Sequence, residues 1–498
     1  MKGEPPPPHP LPSDPVPDPV PDHRAAVPDP DPVPDHRTAV PVSSVPLPAV
    51  PLPSVSATSE SAVSNFDPAA TAPTAVSNVA SVEARSTGSR LPALTRRLAG
   101  GVLLPVAAVV AAVSGGAAFF GGAAVTAVIP LLCAAALGAT LVTGFPLILL
   151  ALGLLGIRRR SPVAAGLAGS IALAVAATAA FTVFRPMPRI PLAPPPVGVA
   201  FWDLPTGSRI AYVAVRAAHP RATPVIFLHG GPGTPGEGVP DAGRALAALG
   251  FDVYAYDQVG AGRSTRLADV TGYTVARQVA DLEAIRHLLG ADKLILVGRS
   301  WGGSLTARYL AAHPEHVAKA VFVSPGPLWE GAYPGHDTGD PWSRLPPSQT
   351  RLRDELAGTP RMIVHSVLMS VDPNAAHALV PDDEADPWFR RVMLTGKDAT
   401  RCPGSPPAPV HDNRPGFYVN QLTSADAERA ADPRPALRAV EVPVLILRGE
   451  CDYLKPEVAE DYRRTLRGST LVRLAGAGHS ITTEQPRYLP LLRDFLLR

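Results

Sequence analysis

At 498 residues, with 46% hydrophobic and only 18% charged residues, the chain exceeds one ordinary domain and carries an apolar excess that points to membrane content. A net charge of +2, with no dense basic stripe interleaved with aromatics, excludes a nucleic-acid surface. The cysteines Cys133, Cys402 and Cys451 are too few and too scattered for a disulfide framework or a zinc site; Cys133 lies in an apolar stretch, so only Cys402 and Cys451 are left to pair, and the sequence does not decide whether they do.

Residues 1–95 are rich in Pro, Ala, Val, Ser and Asp, and Asp18-Pro19-Val20-Pro21-Asp22-His23-Arg24 returns as Asp31-Pro32-Val33-Pro34-Asp35-His36-Arg37. Prolines fix φ and remove backbone donors, and few aromatics are present to offset the ordering entropy. A disordered, partly polyproline II tail is therefore expected. Such a tail suits docking to a Pro-binding partner, and its isolated histidines are expected to be solvated.

Residues 98–157 contain no charged side chain, and neither do 161–184. A bilayer crossing takes about 20 apolar residues, so spans are expected near 99–121, 131–156 and 163–184 within a transmembrane region 96–185. Buried core helices rarely run this long without a polar face. Arg96-Arg97 and Arg158-Arg159-Arg160 flank the first pair of spans, and the positive-inside rule puts both clusters, and the tail, in the cytoplasm. The third span then carries the chain outward. No short apolar signal segment precedes the spans, so the first is expected to act as the anchor. The expectation is an integral cell-membrane protein, with the lipid bilayer as a partner and its C-terminal region extracytoplasmic.

After a Pro-rich linker, 186–198, residues 199–498 read as an α/β domain. Short apolar runs at Arg209–Val215, Val225–Leu228, Phe251–Tyr256, Leu294–Val297, Ala320–Val323 and Val444–Leu447 alternate with helical patterns such as Val275–Leu289 and Leu305–Ala312. That alternation predicts β-α-β units and a mostly parallel sheet with strands buried on both faces. It breaks down between about 326 and 438, where an insertion is expected to sit over the carboxyl ends of the strands as a cap and to shape a ligand site there.

Gly298-Arg299-Ser300-Trp301-Gly302 stands between the run Leu294–Val297 and a helical stretch, and so predicts a strand, a sharp turn and a helix with a serine at the apex. A serine hydroxyl needs a base, and the base needs an orienting group. Asp452 follows the strand Val444–Leu447, and His479 follows Leu471–Leu474 through Gly476-Ala477-Gly478. The order Ser300, Asp452, His479 is that of α/β-hydrolases. Glu450 stands as the alternative acid, while His287, His313 and His316 read as surface or capping groups. His229-Gly230-Gly231-Pro232-Gly233 directly follows the strand ending at Leu228, so the backbone N–H groups of Gly230 and Gly231, with that of Trp301, are candidates for an oxyanion hole. His229 reads as a structural group that organises this loop. The glycines lack a phosphate-loop ending or dinucleotide spacing. No metal and no organic cofactor is expected.

His229–Gly233, Asp257-Gln258-Val259-Gly260-Ala261-Gly262-Arg263-Ser264 and Ser300-Trp301-Gly302-Gly303 together resemble the proline iminopeptidase (prolyl aminopeptidase) family of α/β-hydrolases, over about residues 200–498. The resemblance implies an α/β-hydrolase fold with an inserted cap, Ser300 as nucleophile, His479 as general base and acid, Asp452 as its orienter, and release of an N-terminal proline from small peptides. Two departures stand out. Arg299 occupies a position where the family usually has glycine. The family's cap glutamate, which binds the substrate's free amine, precedes an aromatic-aromatic-Val-Asn stretch; against Phe417-Tyr418-Val419-Asn420 the register places Arg414 there, with Asp412 or Glu330 as substitutes. Two alternatives stay open: an esterase or amidase whose substrate lacks a free amine, and a non-catalytic ligand-sensing membrane protein.

Overall fold

The computed structural model describes residues 93–190, 194–195, 198–333, 337–408 and 410–498; the tail expected over 1–95 lies outside these except for its final residues, which open the first helix. Helices α1 (Ala93–Ala123), α2 (Ile129–Leu155) and α3 (Arg160–Thr182) come first, and all three are long and apolar enough to cross a bilayer. α1 begins upstream of the expected 99 because Arg96 and Arg97 join its exposed first turns. α1 and α2 approach through small residues: a Cβ added at Gly100 would lie 2.7 Å from Ala151 O, and one at Gly115 2.2 Å from Thr140 Oγ1.

β1 (Val199–Asp203), β2 (Arg209–Val215), β3 (Val225–Leu228), α4 (Asp241–Ala247), β4 (Val253–Tyr256), α5 (Val275–Leu288), β5 (Leu294–Arg299), α6 (Trp301–Ala312) and β6 (Val317–Val323) follow. The insertion contributes α7 (Pro347–Ala357), α8 (Pro360–Val371), α9 (Pro373–Leu379), α10 (Asp382–Thr395) and α11 (Phe417–Arg429). α12 (Arg434–Leu437), β7 (Val444–Gly449), α13 (Pro456–Thr465), β8 (Thr470–Leu474) and α14 (Tyr488–Leu497) close the chain.

The described strands form one eight-stranded sheet in the order β1-β2-β4-β3-β5-β6-β7-β8. β1–β2 and β2–β4 are antiparallel and the other pairs parallel. Alternate residues of β5 enter different cores. Leu294 and Leu296 pack with Ile285 of α5 and Leu305 of α6 on one face, whereas Ile295 and Val297 pack with Leu246 of α4 and Leu492 of α14 on the other. Cover on both faces is why these strands read as unbroken apolar runs. β1 was not anticipated from the sequence; it is an edge strand whose Trp202 stacks on Tyr212, with ring centroids 3.6 Å apart.

A disulfide joins Cys402, between α10 and α11 of the insertion, to Cys451 beside β7, across a separation of 49 residues. A cross-link of that span restricts the unfolded chain by about 4 kcal/mol on the chain-entropy argument. Cys402→Ser should therefore lose stability of that order in denaturant titrations of the full chain in detergent; an unchanged midpoint would show that the bridge contributes nothing.

Candidate active site

β5 runs directly into α6, and Ser300 between them takes φ 54°, ψ −124°. That conformation strains a residue with a side chain and persists only where its surroundings fix it. Ser300 N–H donates to Val323 O at 3.1 Å, and its carbonyl accepts from Gly326 N at 2.9 Å. The flanking glycines are obligatory in space: a Cβ at Gly298 would lie 2.2 Å from Gly302 O, and one at Gly302 2.3 Å from Leu228 O. The helix therefore starts against the end of β3, where the glycine loop begins. A Cβ at Gly230 would stand 3.1 Å from Ser300 Cβ and 3.6 Å from its Oγ, so the backbone of that loop passes beside the hydroxyl. Trp301 opens α6, where the first N–H groups lack intrahelical partners.

The loop is held by His229, as its place in the sequence suggests, together with groups that the sequence did not single out. His229 Nδ1–H donates to Gly230 O at 2.8 Å, and its Nε2 accepts from Gln258 N–H at 2.9 Å. Gln258 Nε2 donates back to His229 O at 3.0 Å, and Gln258 Oε1 accepts from Trp301 Nε1 at 3.2 Å. Burial pulls His229 down to about 4, so its ring is neutral near pH 7, which suits the structural reading of this histidine. From the cap, Asn420 Nδ2 donates to Pro232 O at 2.8 Å and Gly416 N to Gly233 O at 2.8 Å. The Val-Asn pair inside Phe417-Tyr418-Val419-Asn420 was the available signal for Asn420; Gln258 was visible only as part of its motif.

Asp452 and His479 come together from the loops after β7 and β8. His479 Nδ1 and Asp452 Oδ1 are 2.7 Å apart, and both residues are buried. Burial alone would raise the Asp452 carboxyl, but the charge and hydrogen bond of His479 and the Leu454 N–H outweigh it and leave it below the ordinary value. An ionised carboxylate only accepts, so Nδ1 carries the proton and Nε2 is left as the basic nitrogen. Tyr453 lies against the ring, its hydroxyl 3.4 Å from Nε2. The histidine loop is fixed by His479 N–H to Thr400 O at 2.8 Å and Cys451 N–H to Ala477 O at 2.9 Å. Glu450 instead meets Arg473 and Gly476 N–H.

The remaining candidates scatter. Arg299 Nη1 donates to Ser480 Oγ at 3.3 Å, tying the serine turn to the histidine loop. Its Nη2 is buried without a hydrogen-bond partner among the described residues. Arg414 donates to Ile190 O at 2.7 Å, so its guanidinium engages the segment after α3. Asp412 is exposed, with Arg390 at 3.5 Å. Glu330 lies near Glu428 and Arg308, and burial pushes its carboxyl up to about 7; Arg308 is eight residues along α6, about 12 Å from the elbow at 1.5 Å per residue. Among the described residues, Glu283, His313 and His316 are close enough to hold a metal ion. Arg286 and Tyr309 already occupy that carboxylate, at 2.7 and 2.6 Å, and the cluster lies at the far end of α6 from Ser300.

A family model described as alpha/beta hydrolase fold matches residues 223–486. The chain is 28% identical over 282 residues to a proline iminopeptidase of Heyndrickxia coagulans, covering 55% of this chain and 90% of that protein. It is 27% identical over 289 residues to a proline iminopeptidase of Saccharolobus solfataricus, covering 55% and 84%. The crystal structure of a proline iminopeptidase from Mycobacterium smegmatis aligns over 60% of this chain and 97% of that one, with 22% identity and a TM-score of 0.38.

The neutral His229 makes a pH prediction. Its pKa is about 4 in the fold against 6.5 for the free group, so between those values the unfolded chain binds more protons and stability falls as pH falls. The loss amounts to about 3 kcal/mol at most. His229→Gln should remove this part of the slope, so that the stability difference between wild type and variant shrinks from pH 7 to pH 4; a difference constant with pH would mean that His229 titrates normally.

Proposed function

The chain belongs to the α/β hydrolase fold family, and on that premise we propose that it is a membrane-anchored serine hydrolase acting through an acyl-enzyme, releasing N-terminal residues from small peptides in the manner of a prolyl aminopeptidase. The observation that carries the reading is the buried 2.7 Å bond between His479 Nδ1 and Asp452 Oδ1 on the strand-end loops, with Ser300 at the strained turn of the same sheet. His479 Nε2 takes the Ser300 hydroxyl proton as Oγ attacks the substrate carbonyl. The N–H groups of Trp301 and of Gly230 or Gly231 meet the developing oxyanion. His479 then gives its proton to the leaving amine. Water, deprotonated by the same nitrogen, releases the acyl group and restores Ser300. Asp452 stays ionised throughout, holding the ring and stabilising the imidazolium.

Similarity to proline iminopeptidases supports the peptidase assignment. A second reading, an esterase or amidase whose substrate lacks a free amine, draws support from Arg299, a cation next to the nucleophile that pairs with no carboxylate among the described residues. The three apolar helices support anchoring. An odd number of crossings and the Cys402–Cys451 disulfide both support an extracytoplasmic domain with the tail inside, since such bonds persist in oxidising compartments.

A fluorophosphonate probe is expected to label the full chain in detergent and to leave Ser300→Ala unlabelled, while Asp452→Asn should lower kcat by about 10⁴-fold. Folded wild-type protein that resists the probe would sink the serine-hydrolase reading. Faster turnover of an N-acylated proline anilide or a short-chain ester than of free proline anilide would select the second reading. Protease added to intact cells should release the hydrolase domain; its protection would place that domain inside.

A further inference from the structure

The cap and the helical hairpin share one core. Phe119 and Ala123 near the end of α1 and Leu132 near the start of α2 are buried in the same cluster as Met362 and Leu368 of α8 and Ala376 of α9. α8 packs on α1 and α9 on α2. A polar clamp secures the segment leaving α3. Arg361 of α8 donates to Val183 O at 2.8 Å and to Glu384 Oε2 at 2.8 Å. Glu384 also accepts from Met187 N–H at 3.0 Å and from Arg189 Nη2 at 3.0 Å. α8 is therefore held level with the ends of the three apolar helices.

The outer side of α8 is unusual for a water-facing surface. Its charged residue, Arg361, and its histidine, His365, are both buried. Ile363, Val367 and Val371 follow at four-residue spacing and so form one stripe; Ile363 is 53% and Val371 40% exposed. Ser366 and Ser370 flank them, exposed and uncharged. Neighbouring α7 shows the contrast, since it turns Arg351, Asp354 and Glu355 to solvent.

We infer that this stripe rests on the bilayer crossed by α1–α3, with α8 lying in the interface plane and Ile363, Val367 and Val371 entering the boundary between headgroups and acyl chains. The inference rests on the anchored reading given above. The occupant is the bilayer because the stripe continues from helix ends that the same bilayer encloses, and because α8 offers no exposed charge to a polar partner. The contact also reaches the site: His365 Nε2 bonds Tyr418 Oη at 2.9 Å, and Tyr418 lies two residues from Asn420, which holds the glycine loop through Pro232 O.

Single cysteines at Val367 and Val371, and at the already exposed Ser366, introduced into full-length Cys133→Ser protein and labelled with an environment-sensitive fluorophore in phosphatidylcholine proteoliposomes, test this. Val142→Cys on α2 serves as the lipid-facing control and Leu288→Cys on α5 as the aqueous control. The α8 labels should lose emission to a shallow spin-labelled lipid and the Val142 label, at the middle of α2, to a deep one, both resisting aqueous iodide, while the Leu288 label shows the reverse. If the α8 labels behave like Leu288 while Val142 is quenched by lipid, the seating is overturned and the anchoring stands. If Val142 also escapes lipid quenching, the anchoring fails and takes the seating with it. Protection of the α8 labels that grows with protein density and not with spin-labelled lipid would mean that a second copy covers the stripe, and would likewise overturn the inference.

Discussion

Much of this structure depends on two places where no side chain fits. Gly298 and Gly302 bring the end of β5, the start of α6 and the end of β3 closer than any Cβ allows. Their contact sets the serine turn and the glycine loop backbone to backbone, and the side chains of His229, Gln258 and Asn420 then fix the loop beside the Ser300 hydroxyl. Precision of this kind is what stabilisation of a transient charge requires, since a donor helps only when already aimed at where the charge appears.

Around that turn and loop several buried charges are matched, Arg299 being an exception among the described residues. Asp452 meets His479, Glu384 meets Arg361, and Asp386 meets Arg266 at 2.7 Å while accepting Phe417 N–H at 2.8 Å. Such pairs add little net stability after desolvation, but removing one partner strands a buried charge. Their effect here is to fix register. Asp386 pins the start of α11, and α11 in turn places Asn420 on the glycine loop, so the insertion takes part in building the site.

The legible and illegible parts separate along physical lines. Strands covered on both faces leave continuous apolar runs, so β2, β3 and β5 could be read from composition alone; β1, antiparallel at the edge and held by a Trp202–Tyr212 stack, leaves no such run. The strained serine needs glycines in its own neighbourhood, and Asp452 and His479 sit just after strands, so local pattern singles out all three as candidates. Gln258, Asn420 and Thr400 act on the loops through backbone atoms far away in the chain, and single-sequence periodicity carries no trace of that. Arg414 shows the converse: register aligned it with a substrate-binding position, yet its guanidinium reaches the carbonyl of Ile190, a partner that no linear pattern could indicate.

That bond to Ile190, with the contacts of Val183, Met187 and Arg189 to the cap, changes what the Pro-rich connection is. Its first part, through Ile190, is bolted to the cap, so that part is a bracket rather than a leash. In a protein anchored as proposed, the hydrolase can neither tumble nor stretch toward bulk solution, and Ser300 keeps one altitude above the plane in which the helices drift. Selection then has a component of reach: a bond is cut only if its carrier presents it at that altitude. Carriers confined to the same plane meet the enzyme by lateral diffusion, an advantage that freely dissolved molecules of identical chemistry do not share.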